Sequence, residues 1–480
     1  MYHIDAFAQH GCASRLCLGR SCKDWQGRSD LLLFLFQKKV PMRIVRTLAL
    51  SATLAFHLGA AGAAPAVAAD PALPVLVEPG QTQSPSVYAA RRAALMQAMG
   101  DGVAVIYAEG QDDSAGHRQS PDFLYLTGVE EKGAVLVLAP KERTYREFLY
   151  LPSRDPEAER VSGMRDPIDT ALRAKYGFEK IHRSGALLGG LIDMASRSPT
   201  LWQVTRPGAA TEPKDLELYG KVQKRVPGVA VKSLLWTLAS MRARHDDAEL
   251  AIMQRSIRIT EEGFRAAWQA VRPGASEGEV RAEAERVWRM RGSRRAAYDS
   301  IVGSGPNGAI LHYARSERVM RDGELVLMDM GAEYAHYATD ITRTVPVNGR
   351  FSAEQRKLYD IVLRAQQAAL ALARPGATYE DLDKAARKVI DEAGYGDYFI
   401  HGLGHFVGLD VHDAGAYHKA LEAGMVVTIE PGIYIPEKAL GIRIEDEVLI
   451  TPNGARYLSN GLPRTADEIE RAMAARASRK

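Results

Sequence analysis

Val271–Val287 reads VRPGASEGEVRAEAERV, and Ala373–Val389 reads ARPGATYEDLDKAARKV. Aligned on Arg-Pro-Gly-Ala, Arg272 falls on Arg374, an offset of 102 residues. Ahead of each copy, apolar residues recur at helical spacing: Leu250, Met253, Ile257, Phe264, Trp268 and Val271, then Leu358, Ile361, Val362, Ala365, Ala369 and Leu372. In both copies Pro-Gly stops that helix, and Ser276 or Thr378 stands where the next needs a cap. Further on, LVLMDMG at Leu325–Gly331 parallels VVTIEPG at Val426–Gly432, which puts Asp329 and Glu430 at matching strand ends. Helix, stop, helix and strand-carboxylate-x-Gly, repeated in one order, predict an internal duplication. Residues 246–465 are thus expected to form one domain of two pseudo-symmetric α/β halves.

The chain has 480 residues, 46% of them hydrophobic, enough for two or three domains with cores of their own. Residues 78–245 predict a separate α/β domain, with strand-like runs at GVAVIYA (Gly102–Ala108), DFLYLTG (Asp122–Gly128), GAVLVLA (Gly133–Ala139) and EFLYLP (Glu147–Pro152). Residues 466–480 predict a terminal helix, opened by the Thr465/Glu468 capping-box pattern.

The N-terminus has a different composition. From Met42 the chain carries Arg43 and Arg46, an apolar run over Leu48–Phe56, then Ala66-Val67-Ala68, the small-x-small pattern that precedes cleavage. Residues 42–69 are therefore expected to be a signal peptide directing export, in a bacterium to the periplasm. His57, Pro65 and the Gly/Ala dilution leave the apolar part short of the roughly 20 residues a span requires. Residues 1–41 are expected to be a non-structural leader created by a mis-set translation start. All three cysteines, Cys12, Cys17 and Cys22, fall in that leader. Without residues 1–69 the chain keeps 54 Lys/Arg against 56 Asp/Glu, a net charge of −2, and no basic field points to nucleic acid.

Asp329 taken alone is ordinary turn chemistry, an Asp at a strand end with Gly close behind. Each half, however, supplies two such acids: Asp329 and Asp340 in the first, Glu430 and Glu445 in the second. Four carboxylates directed at one interface repel and raise one another's pKa unless cations neutralise them. HGLGHFVGLDVHD brings His401, His405 and His412 into one stretch of a chain with 12 histidines. Gly402 stands where H-E-x-x-H requires Glu, which removes the helical zinc-protease alternative. Oxygen-rich ligation with one imidazole suits a pair of Mn²⁺, Co²⁺ or Zn²⁺ ions, and the carboxylate excess favours Mn²⁺. Such a pair, about 3.5–4 Å apart, serves hydrolysis.

GSGPNGAILHY (Gly303–Tyr313), MDMGAEYAHYATDITRTVPVNG, HGLGHFVGLDVHD, TIEPGIY and GIRIEDEV together closely resemble the proline-specific metallopeptidases of the pita-bread fold, peptidase family M24, above all the Xaa-Pro aminopeptidases. The resemblance covers nearly everything after residue 80. It implies an α/β (α+β) pita-bread catalytic domain behind a creatinase/prolidase-like N-terminal domain. It further implies that Asp329 is the terminal ligand of one ion, that Asp340 and Glu445 bridge, and that His405 and Glu430 bind the other ion. Glu430 would handle the proton of the nucleophile, while His312, His401 and His412 line the substrate path. His312 or His412 could stabilise the oxyanion or protonate the leaving proline nitrogen. Arg443 would hold a bridging carboxylate, and Tyr434 and Tyr313 are read as packing residues.

The implied substrates are peptides with proline in second position. The implied assembly is a homo-oligomer, dimer or tetramer, in which Asp122 contacts a neighbouring catalytic domain. Val161, in AERVSGMR, departs from the tryptophan that related bacterial enzymes carry there. The alternatives are an Xaa-Pro dipeptidase, which shares fold and metals, and a metal-free pita-bread binding module, which would have lost ligands that this chain keeps.

Overall fold

The duplicated segments fold as paired helices, Asp247–Ala270 with Glu277–Met290 and Ala353–Leu372 with Tyr379–Glu392. In this computed structural model, which describes residues 83–113, 116–205 and 213–477, all four helices begin on a side-chain cap. Asp246, Ser276, Ser352 and Thr378 each accept from the N–H three residues on, worth about 1 kcal/mol apiece. The first helix of each pair ends before a glycine in the left-handed region, Gly274 at φ 86° and Gly376 at φ 92°. The chain then returns identically in both halves. Gly274 N–H donates to Met320 O at 2.9 Å and Gly376 N–H to Leu421 O at 3.0 Å, while Ser276 bridges Val319 and Thr378 bridges Ala420. The duplication therefore holds down to single backbone hydrogen bonds.

Each half contributes a three-stranded antiparallel sheet. In the first, Leu325–Asp329 lies between Ile301–Ser304 and Thr342–Pro346. In the second, Asp446–Thr451 lies between Val426–Ile429 and Gly454–Tyr457. Leu325–Asp329 and Val426–Ile429 are buried along their whole length, so each can end in a carboxylate that faces only other protein groups. The halves join where Glu445 N–H donates to Thr342 O at 3.1 Å. The fully buried Arg343 fastens this seam through Thr342 O, Glu445 O and a 2.8 Å ion pair with Asp446.

Ahead of this domain lies a six-stranded mixed sheet. Its strands run Lys180–Arg183, Glu147–Leu151, Val135–Leu138, Val103–Tyr107, Thr200–Gln203 and Ala230–Ser233 across the sheet. Three of the four predicted strand runs lie in it. The fourth, DFLYLTG, is instead the helix Pro121–Thr127, with Pro121 in its first turn and Gly128 as a left-handed cap. Proline before and glycine after a short apolar run are helix punctuation, and a run this short, buried on every side, has no period to read.

Two arginines fasten this region to the catalytic domain. Arg91 pairs with Asp246 and Glu249 at 2.8 and 3.0 Å. Arg242 takes Asp122 at 2.6 Å together with Asp410 and Asp413. Asp122, which the family resemblance directs at a neighbouring subunit, is thus engaged within its own chain. At the C-terminus, Thr465 and Glu468 cap the helix Ala466–Ala477 reciprocally. Among the described residues no helix is long and apolar enough to cross a membrane. The leader, the signal-peptide segment and the cysteines lie outside the described residues.

Gly331 determines how closely the two acidic strands of the first half approach. A Cβ there would lie 1.5 Å from the Thr339 carbonyl oxygen, so any side chain forces Asp329 and Asp340 apart. Gly331→Ala is expected to cost about 1–3 kcal/mol, read as a lowered midpoint in urea, and to lower divalent-cation affinity with it. Unchanged stability and affinity would contradict this packing.

Candidate metal centre

Asp329 closes the strand Leu325–Asp329, and Glu430 directly follows Val426–Ile429. Asp340 precedes Thr342–Pro346, and Glu445 sits between Leu440–Arg443 and Asp446–Thr451. His405 lies beside the bridge Phe406–Val427, where the Thr428 hydroxyl accepts its backbone N–H at 2.9 Å. Strand ends and the segments beside them, from both halves, therefore deliver all five side chains to the seam. His405 Nε2 lies 3.3 Å from Asp340 Oδ2 and 3.4 Å from Glu430 Oε1. Donor atoms of Asp340, His405 and Glu445 all fall within 4.8 Å of one another. Glu445 Oε1 is buried with no hydrogen-bond partner, as expected of a carboxylate oxygen shaped to meet a cation.

Sequence reasoning missed Tyr298. Its buried hydroxyl contacts both Asp329 and Asp340, and its pKa is pushed well up by burial and then by those two carboxylates. One hydroxyl proton serves one acceptor, so the second contact requires a proton or a cation between the groups. The duplication conceals this residue, because the position 102 residues on is Ile400, which has no hydroxyl.

Arg443 is not a surface ion pair. It is 3% exposed and forms its ion pair with Asp329. It reaches Glu445 only indirectly, by donating from Nε to the Thr342 hydroxyl at 3.2 Å; that hydroxyl donates to Glu445 Oε2 at 2.6 Å. The guanidinium therefore holds the predicted terminal ligand directly and the predicted bridge at second hand. Tyr434, read from sequence as packing, accepts from Arg443 Nη1 at 2.6 Å and meets His401 Nε2 at 2.9 Å. His401 Nδ1 faces Gly402 O at 2.7 Å, which assigns the ring proton to Nδ1 and leaves Nε2 to accept from Tyr434. Both His401 nitrogens are thus occupied within the protein.

His412 stacks on His405 with centroids 3.8 Å apart and planes 13° apart. Desolvation in the cleft, then the charge on His405, push His412 down to about 4. Burial, then Arg443, bring His401 down to about 4. His312 adds a smaller repulsion to both.

Burial and the mutual repulsion of the acids dominate the metal-free centre. Burial raises Asp329 to about 6 against the pull of Arg443, and raises Glu430 to about 7 against His405 and Arg443. Glu445 is raised well above its ordinary value by burial and then by Asp340 and Glu430. Asp340 runs the other way: burial pushes it up, but the hydrogen bond and charge of His405 carry it below. His405 is opposed by burial yet lifted to about 9 by Asp340 and Glu430. Groups raised in this way take up a proton or a cation, and the donor set fits divalent metal.

Residues 251–452 match the sequence profile described as metallopeptidase family M24, and residues 88–202 that of the aminopeptidase P N-terminal domain. The Xaa-Pro aminopeptidase of Escherichia coli is 34% identical over 427 residues, spanning 80% of this chain and 97% of that protein. The Xaa-Pro dipeptidase of Pyrococcus furiosus is 46% identical over 215 residues, 44% of this chain and 61% of that protein. Among solved structures, zinc-substituted E. coli aminopeptidase P in complex with product superposes with a TM-score of 0.74 at 31% identity, covering 82% of this chain and 99% of that one. The fold and centre are those of a pita-bread metallopeptidase. The chain belongs to family M24, in its aminopeptidase P branch.

Protons and cations compete for the same lone pairs here. Cation affinity should therefore fall as the pH drops through about 9, where His405 gains its proton, and again through about 7, where Glu430 does. Calorimetric titration with Mn²⁺ in buffers of different ionisation enthalpy should show net proton release at pH 7. Binding without proton release would contradict these assignments.

Proposed function

We propose that the protein is a dinuclear-metal aminopeptidase that hydrolyses the bond between an N-terminal residue and a following proline, releasing the first residue. The observation that carries this proposal is the meeting of four carboxylates and one imidazole at the seam, with a partnerless oxygen on Glu445. Asp329, Asp340, His405, Glu430 and Glu445 would hold two divalent ions, Mn²⁺ being favoured by the carboxylate excess and Co²⁺ or Zn²⁺ acceptable to the same donors. When bound, such ions supply Lewis-acid polarisation of the scissile carbonyl and a water of lowered pKa.

The remaining steps belong to side chains of this chain. Glu430 has a carboxyl at about 7 in the metal-free protein, and it takes the proton of the attacking water and returns it toward the proline nitrogen. His412, stacked on His405 with its ring neutral, offers an N–H donor to the carbonyl oxygen as it gains charge, a role shared with His312. His401 acts through Tyr434 on Arg443, because both of its nitrogens are used. Arg443 orients Asp329. A bond preceding proline is a tertiary amide without N–H, so a site that works through the carbonyl and the ring nitrogen loses nothing by that absence.

Export through the 42–69 segment to the periplasm is part of this proposal, as is a homo-oligomer. The oligomer is supported by Val161 and Met164, 91% and 80% exposed on one segment of the N-terminal domain. The second reading, an Xaa-Pro dipeptidase, is favoured by the higher identity that the Pyrococcus furiosus protein shows over the 215 residues it matches.

A substrate-length series separates the two readings. The protein lacking residues 1–69, supplied with Mn²⁺, is expected to cleave an Xaa-Pro peptide of several residues and to leave the Xaa-Pro dipeptide intact. Turnover of the dipeptide alone would make it a dipeptidase, and turnover of neither would end the peptidase proposal. Asp340→Ala should lose activity by at least about 100-fold, since it deletes a donor on which both ions depend; full activity would revive the metal-free module.

A further inference from the structure

Glu277 opens the helix Glu277–Met290 and is fully buried, yet the proposed reaction gives it no task. Its carboxylate accepts from Ser304 N–H at 2.7 Å, Ser304 hydroxyl at 2.8 Å, Tyr313 hydroxyl at 2.9 Å and Arg318 N–H at 3.0 Å. The Asn307 side-chain amide adds contacts of 3.1 and 3.3 Å to its two oxygens. Every one of these donors belongs to a single segment, residues 304–318. That segment leaves the strand Ile301–Ser304, turns through Gly305–Ala309 and carries His312 one residue before Tyr313.

A second contact presses the same segment from the other side. A Cβ on Gly441 would lie 1.8 Å from Gly308 O, so only glycine lets the turn sit against the strand Leu440–Arg443, which ends in Arg443. The duplication gives an independent parallel. Tyr379 stands 102 residues beyond Glu277, is likewise the first residue of its helix, and is likewise buried. Its hydroxyl donates to Thr428 O at 2.8 Å, and a Cβ on Gly404 would lie 2.6 Å from that hydroxyl oxygen. In both halves the first residue of the second helix meets a segment that carries a histidine of the site, Tyr379 packing against the one with His405 and Glu277 hydrogen-bonding the one with His312.

We propose that Glu277 is a positioning residue that holds the 304–318 segment so that His312 faces the scissile carbonyl. This rests on the aminopeptidase proposal only in the use made of His312. A carboxylate is the one side chain of this size that offers acceptors to all of these donors and donates nothing itself. Glutamine is nearly isosteric, but its NH₂ would face N–H and O–H donors, leaving buried donors unpaired.

The test is a double-mutant cycle on the Mn²⁺-loaded protein with an Xaa-Pro peptide, comparing Glu277→Gln, His312→Ala and the pair, with metal content measured for each. Glu277→Gln is expected to lower kcat/KM by about tenfold or more at unchanged metal content. Added to His312→Ala it should lower kcat/KM by less than about twofold, because coupled residues are not additive. The same fold-loss in both backgrounds, a loss that tracks metal content, or no loss at all would overturn the proposal.

Limited trypsin digestion gives a readout independent of activity. Cleavage after the exposed Arg315 should be at least about tenfold faster in Glu277→Gln than in the parent. Equal cleavage rates would overturn the positioning role even if the parent hydrolysed no Xaa-Pro peptide, so the two failures are told apart. Should Glu277→Gln not fold, Tyr313→Phe deletes one of these hydrogen bonds beside His312 and carries the same cycle, with a smaller loss expected and the same overturning results.

Discussion

Four carboxylates at one seam, Asp329, Asp340 and Glu445 buried and Glu430 half-buried, with a single guanidinium in contact with one of them, are the constraint from which the rest of the architecture follows. Charges of one sign, removed from water and held this close, are tolerated only with protons or cations among them. Without metal, Asp329 and Glu430 move up to about 6 and 7, and His405 is lifted to about 9. The neighbouring groups fit the same condition. Tyr298 spans Asp329 and Asp340, Thr342 relays Arg443 to Glu445, and the Asp340 N–H donates to the buried Glu447 at 2.9 Å. Each fixes a carboxylate that electrostatics alone would push outward.

Duplication explains how one chain gathers such a centre. Each half ends a buried strand in an acid, supplies a second acid from a neighbouring segment, and packs a capped helix pair behind its sheet. The halves are not chemically equal, however. At the first residue of the second helix, one uses Glu277 to collect a segment of six donor contacts and the other uses Tyr379 to hold a backbone carbonyl. The N-terminal domain reaches the same region through Arg242, whose partner Asp413 follows His412 directly and also accepts the Leu409 and Ala414 N–H groups. The loop that stacks His412 on His405 is thereby braced from outside the catalytic domain.

Much of this was legible in the sequence because it is periodic or repeated. Arg272–Ala275 against Arg374–Ala377, the caps Ser276 and Thr378, and the matched Asp329 and Glu430 need no three-dimensional knowledge, and the M24 motifs add the remaining residues of the centre. What escaped was non-repeating or reached through space. Tyr298 was invisible because its counterpart is Ile400, and Tyr434 because a hydroxyl's partner cannot be read from spacing. Arg443, two residues from Glu445, reads from sequence as holding a bridging carboxylate, whereas the fold gives its guanidinium to Asp329, 114 residues away. DFLYLTG misled through its composition, since proline and glycine at its ends outweigh the apolar content between them.

The central claim is that the strand-end acids are there to hold two divalent cations. Anomalous diffraction from crystals grown with Mn²⁺, combined with elemental analysis of the dissolved protein, tests it most directly. The account predicts two ions per chain, both within coordination distance of Asp340 and Glu445, one also near Asp329 and the other near His405 and Glu430. No ion at the seam, or ions bound only elsewhere on the chain, would contradict it.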